Sequence, residues 1–173
     1  SSPADLVAFI NRLNREGVAI YRRLSPAVLI ALMEVASRES DEYHRSLDPF
    51  AKALFAVSWA GEAESANWFD AARELTERWH HQQQVRDAVG APPLFAPRFF
   101  RPVLEVSVRA LPHAYGNVAS PPGHTVRFVV TGDSGGAWAL TRQENGWTLR
   151  EGEPANAAAH VTVRPSCSIK YKS

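Results

Sequence analysis

Glu77, His81 and Gln84 are the residues of this chain whose types and spacing suit chemistry. They lie in the run 71–87, which holds no proline or glycine and is closed by Gly90, the punctuation of a helix with a glycine just past its end. Side chains four apart on a helix leave the same face one turn apart, so Glu77 and His81 project together and Gln84 follows one turn later. A carboxylate and an imidazole so placed can share one divalent metal ion. The same pattern has a second reading. Asp70, Arg73, Glu74, Glu77, His81 and Gln84 form one polar stripe, with Trp68, Ala72, Leu75 and Trp79 as the apolar stripe opposite. Amphipathic surface helices keep such a polar side in water, and a Glu/His pair four apart then is a solvated contact.

The elements that must position this helix are legible on both sides of it. Ser2-Pro3 and Ser25-Pro26 each pair a capping serine with a proline that fits a first helical turn, which predicts helices over about 3–23 and 26–46. Val28, Leu29, Leu32, Val35 and Ala36 are the expected inward positions of the second. The helix carrying Glu77 and His81 is expected over about 66–89, capped by Ser65 or Asn67. The connection 48–67 contains Leu54-Phe55-Ala56-Val57-Ser58-Trp59, too apolar for a free loop, and is expected to pack over a cavity or a bundle end.

Residues 91–97 are a proline-rich joint and the expected boundary between a helical part, 1–90, and a small C-terminal part, 91–173. A fourth helix is expected over about 97–111, stopped by Pro112. Alternating β-branched runs then predict strands at about 125–131, 137–142, 147–150 and 160–164, with Asn145-Gly146 as a hairpin signal. The fold class is therefore α+β, a partial up-down helical bundle followed by a small antiparallel sheet with one helix. The tail 165–173 has no core pattern.

Composition narrows the function. The chain has 173 residues, 45% of them hydrophobic, and a net charge of +1. A globular fold follows, and nothing favours nucleic acid or an anionic membrane as partner. One cysteine, Cys167, excludes an internal disulfide framework and a multi-cysteine zinc site, which suits a cytoplasmic setting. No run approaches a membrane span. Neither a Gly-x-Ser-x-Gly elbow nor a Gly-x-x-x-x-Gly-Lys loop occurs. Cys167 in its patternless tail lacks the basic neighbourhood a thiolate nucleophile needs. His113, His124 and His160 have no ligand-like spacing, and His44 reads as a surface histidine.

The stretch Glu77-Arg78-Trp79-His80-His81-Gln82-Gln83-Gln84-Val85-Arg86-Asp87-Ala88, with Gly90-Ala91-Pro92-Pro93 after it, resembles the mycothiol-dependent maleylpyruvate isomerase family, of DinB-like four-helix-bundle fold. The resemblance extends over about residues 5–163, and Glu-x-x-x-His is its most specific element. It implies a divalent metal, usually zinc, held by Glu77, His81 and a first histidine on an earlier helix. It also implies mycothiol or a similar thiol as cofactor, with Gln84 as a cavity or cofactor-binding group. The implied activity is thiol-dependent isomerisation or transfer on a small electrophile, with a small-molecule substrate; a homodimer is expected separately, from an apolar face left uncovered by missing helices. The family's first histidine sits in an Ala-His-Leu-like stretch that has no counterpart here. The comparison implies that the chain begins after the family's first two helices, and His44 is poorly placed as a substitute. Two other readings stand beside this one. Phe99, Phe100, Leu104, Phe128, Val130 and Trp138 suit the pocket of an apolar-ligand binding module, or the chain is a metal-less scaffold acting through association. No catalytic residue is named by the sequence.

Overall fold

The computed structural model describes residues 3–165, so the expected cap Ser2 and the residues after Pro165, Cys167 among them, lie outside the described residues. The chain is α+β and divides into two compact units, one ending at Asp48 and the other starting at Pro49.

The first unit holds α1, Pro3–Tyr21, and α2, Pro26–Ser46. Ser25 caps α2 as its sequence predicts: its Oγ accepts the Val28 N–H at 3.4 Å, and Pro26 occupies the first turn. His44 is half-buried, with Nδ1 2.7 Å from the Ser40 carbonyl oxygen. The expected inward positions of α2 are not buried. Val28, Leu32, Val35 and Ala36 are exposed and Leu29 is half-buried. The physical reason is local: an apolar stripe is buried only against another element, and α1 and α2 do not pack along each other.

The second unit begins with a segment that does pack. Val57 is fully buried and forms a cluster with Phe69 and Val106, against which Ala60 and Ala72 lie. A 3-10 turn, Ser58–Ala60, leads into Gly61, whose φ of +83° suits glycine. A Cβ at Gly61 would also lie 2.7 Å from the His113 ring, so the close approach needs glycine twice over.

The helix α3 spans Asn67–Ala88. Neither Ser65 nor Asn67 caps it through a side chain; the N-cap is Ala66. Its first N–H groups are satisfied by the preceding backbone instead, Asn67 donating to Ala51 O and Trp68 to Pro49 O, both at 2.9 Å. Ser65 is buried and used differently: its Oγ accepts the Val57 N–H at 2.9 Å and donates to Glu62.

The proline-rich joint is held tightly to α3, inside the second unit and not at its border. Trp79 Nε1 donates to Leu94 O at 2.9 Å, and Arg86 Nη1 donates to Pro92 O at 2.9 Å. Buried Gln83 accepts the Leu94 N–H. The helix α4, Pro97–Ser107, then packs on α3 through Trp79 and Phe100, ring centroids 5.0 Å apart. The chain does not stop at Pro112. A 3-10 turn, Val108–Ala110, runs into the short helix α5, Leu111–Ala114, where Pro112 sits in the first turn and its missing N–H costs nothing.

Strands β1 (Thr125–Val130), β2 (Gly136–Gln143), β3 (Gly146–Glu151) and β4 (Ala159–Val163) form one sheet in the order β3-β2-β1-β4. The first three pair antiparallel, but β4 runs parallel to β1, which corrects the expectation of a wholly antiparallel sheet. The connection 152–158 does not turn back on β3. It crosses to the far edge, where Arg127 of β1 pairs with Glu153 through two hydrogen bonds, Nη2 to Oε1 at 2.6 Å being one. Alternation puts Val126, Phe128, Val130, Trp138, Leu140 and Leu149 on the face towards the helices. Val130 and Trp138 form a cluster with Val108, with Leu104, Leu111, Phe128 and Leu149 packed around it. Each such fully buried side chain contributes about 1.5–3 kcal/mol. At the hairpin only Gly146 takes a positive φ; Asn145 does not, so this is not the two-residue turn with both φ positive that Asn-Gly suggests.

Candidate functional site

The residues singled out by spacing do meet. On α3 the Glu77 Oε2 atom lies 4.0 Å from His81 Nε2. His81 Nδ1 lies 3.0 Å from Gln84 Oε1. An amide oxygen only accepts, so Nδ1 donates in this contact, and in the neutral ring Nε2, the nitrogen nearer Glu77, is the one left to bind a metal. Two oxygen or nitrogen donors bound to one tetrahedral zinc ion at about 2.0–2.2 Å sit about 3.3–3.6 Å apart. At 4.0 Å the pair is wider than that bite and would have to close by about half an ångström to share one ion. A hydrogen bond from the remaining ring nitrogen is also what orients histidine ligands in metal sites.

The set is not complete among the described residues, which contain no group of three or more His, Cys, Asp or Glu able to hold a metal. His81 and Glu77 are open to solvent, with side chains 72% and 53% exposed. The face that α3 buries carries Phe69, Thr76 and Gln83, with Ala72 half-buried. The expected apolar stripe is thus rotated: Trp68 and Leu75 are exposed, and Phe69 takes the inward place. His80 packs edge-on against Trp79, centroids 5.3 Å apart. His44 lies in the first unit, and Cys167 is outside the described residues.

At the start of α3, Arg73 donates to Asp70 and to Glu74. Partial burial pulls its pKa down, but the hydrogen bond it donates to Asp70 and the nearby charges of Glu74 and Asp70 outweigh this and raise it. These residues are committed to one another and offer no free ligand.

A second candidate is a pocket of about 450 Å³ within the second unit. Phe69, Val108, Trp138 and Leu149 contribute apolar wall, while Glu62, Glu105, Glu151 and Arg109 bring charge. The Arg109 guanidinium stacks over Trp68 at 5.1 Å from the ring centroid. Arg101 fixes the opposite side: it bonds Glu105 at 2.8 Å, Gly135 O at 2.6 Å and Glu151, and lies 5.4 Å from the Trp138 centroid. Of the six residues the sequence suggested for an apolar pocket, Trp138 lines this one. Phe100 lines a second, of about 410 Å³, with Phe95, Asp133 and Arg164. Leu104, Phe128 and Val130 are used in the core. The charged members of the first pocket were missed because they are scattered at 62, 105, 109 and 151, with no spacing to join them.

No family model matches the chain, and no curated protein or solved structure is significantly similar to it. No helix among the described residues is long and apolar enough to cross a membrane.

Proposed function

We propose that the chain belongs to a metal-dependent, thiol-dependent isomerase or transferase of the maleylpyruvate isomerase type, acting on a small electrophile. Glu77 and His81 are its metal ligands, joined by a histidine that these 173 residues do not supply. The observation that carries this reading is the 4.0 Å Glu77–His81 approach with Gln84 holding the far nitrogen of the ring. Zinc, when bound there, would lower the pKa of a coordinated mycothiol-type thiol and so supply a thiolate at neutral pH. The protein's own part is to hold Nε2 unprotonated and aimed at the Glu77 side, and to keep Gln84 beside the incoming thiol. A small-molecule substrate, a cytoplasmic setting and a homodimer belong to the same reading.

Zinc titration by calorimetry tests it. In the intact protein, with the third ligand present, zinc should bind tightly, His81→Ala should lose that binding, and His80→Ala, about 100° around the helix, should keep it. Equal loss in both variants would mean damage to the fold. Absence of any difference between wild type and His81→Ala would leave Glu77 and His81 as a solvated face.

A second reading, a small-molecule binding module without metal, is favoured by the 450 Å³ pocket. Its mixture of aromatic wall and charged rim suits an amphipathic ligand better than the purely apolar one the sequence suggested. A ligand that shifts tryptophan fluorescence in the wild type, and not in Leu149→Trp, would support it; binding unaffected by that filling substitution would not.

A further inference from the structure

The first unit exposes more apolar surface than a helical pair can leave in water. Ile10, Leu13 and Ile20 of α1 and Val28, Leu32, Met33 and Val35 of α2 are all exposed, and α2 has no buried residue at all. Isolated helices of this length are marginal, so their stability needs a packed partner. Along α2 the exposed positions Val28, Leu32, Val35, Glu39 and Glu42 follow the four-three spacing of a coiled-coil seam. The seam is apolar for its first half and ends in two carboxylates.

Charge says what covers it. Residues 3–23 carry four arginines, Arg12, Arg15, Arg22 and Arg23, against Asp5 and Glu16. Residues 26–46 carry four carboxylates, Glu34, Glu39, Asp41 and Glu42, against Arg38 and Arg45. Arg22, Arg23, Glu39 and Glu42 are all exposed, and none of them makes an ion pair among the described residues. Within one copy these two pairs cannot meet if α2 folds back along α1. The arginines sit at the turn, and Glu39 lies about 20 Å further along α2 at 1.5 Å per residue. A second copy removes that restriction. When α1 of one copy lies parallel to α2 of the other, their C-terminal ends coincide and Arg22 and Arg23 face the partner's acidic seam. Two-fold symmetry repeats the contact, because each copy carries both poles.

We propose that the first unit is a dimerisation element, in which α1 of each copy packs along α2 of the other. Arg22 and Arg23 fix the register there against Glu39 and Glu42. This rests on the homodimer reading above and specifies its interface; it is independent of any metal.

Charge-swap complementation with the full chain tests it, read by sedimentation equilibrium. Wild type should be dimeric. The double variant Arg22→Glu/Arg23→Glu should dimerise at least about tenfold more weakly, since it sets like charges together twice per dimer. Glu39→Arg/Glu42→Arg should do the same. An equimolar mixture of the two variants should restore a one-to-one dimer, because both contacts then become complementary. Failure of the mixture to recover would overturn the pairing, since reversal of charge would have harmed the fold and not the interface. A dimer indifferent to both double variants would retire this interface while leaving the homodimer. A monomeric wild type, or one that self-associates without defined stoichiometry, would retire both.

Discussion

Gln83 accepts the backbone N–H of Leu94 at 2.9 Å from a position only 3% exposed. This one bond joins the middle of α3 to the proline-rich joint and so sets where α4 begins. Next to it, Trp79 donates to the carbonyl of the same residue, so Leu94 has both backbone groups satisfied by α3 side chains. The face of α3 that carries Glu77 and His81 is oriented by this buried face on its other side.

Gln83→Ala should therefore destabilise the second unit by about 1–3 kcal/mol, the cost of leaving a buried N–H without a partner. Urea unfolding followed by tryptophan fluorescence measures it. Gln82→Ala, at an exposed neighbouring position, is the control and should change little.

Gly135 is fixed by space. A Cβ there would lie 2.1 Å from Val130 O, a backbone atom that cannot swing away. Gly135→Ala should cost about 2 kcal/mol or more, read as a fall in melting temperature. Gly90→Ala meets nothing within 4 Å and pays only for its positive φ, so about 1 kcal/mol is expected.

The Arg127–Glu153 pair should make the edge strand pH-sensitive. The Glu153 carboxyl is held below its usual pKa, first by the hydrogen bond from Arg127, with slight desolvation opposing and the charges of Arg127 and His160 helping. A depressed folded pKa means the stabilisation is present above the ordinary carboxylate pKa and is lost as pH falls through the lowered one. The protection factors of β4 amides, which correct for the intrinsic pH dependence of exchange, should fall over that acid window, and Glu153→Gln should remove this fall. Exchange in β4 that follows the same pH profile in both proteins would argue against the clamp.

Gln84→Ala tests the orientation of His81 separately from its presence. Without Gln84 the ring loses the contact that selects its Nε2-aimed tautomer, and zinc affinity should fall by about tenfold, the lower end for an outer-shell partner. Calorimetric titration at fixed pH measures it, and unchanged affinity would mean that Gln84 does not orient the ligand.

Local chemistry determined much of this protein from sequence alone. Ser25-Pro26 starts α2 as read, because a cap and a fixed φ act within one turn. Glu77, His81 and Gln84 meet because helical spacing alone brings them together. The β-branched runs at 125–130 and 159–163 are strands. Other features were decided only by tertiary structure, since they depend on groups far apart in the chain. Period alone gave α3 an apolar stripe through Trp68 and Leu75, yet contact with Val57 and Val106 turned Phe69 inward. Residues 91–97 read as a boundary because proline stiffens a chain, but hydrogen bonds from Trp79, Gln83 and Arg86 make them part of one unit. The direction of β4 follows from a connection that crosses the sheet and is clamped at Arg127, a choice that strand propensity does not encode. The pocket beside Trp138 exists only because α3, α4 and the sheet converge there, bringing Glu62, Arg109 and Glu151 to one rim.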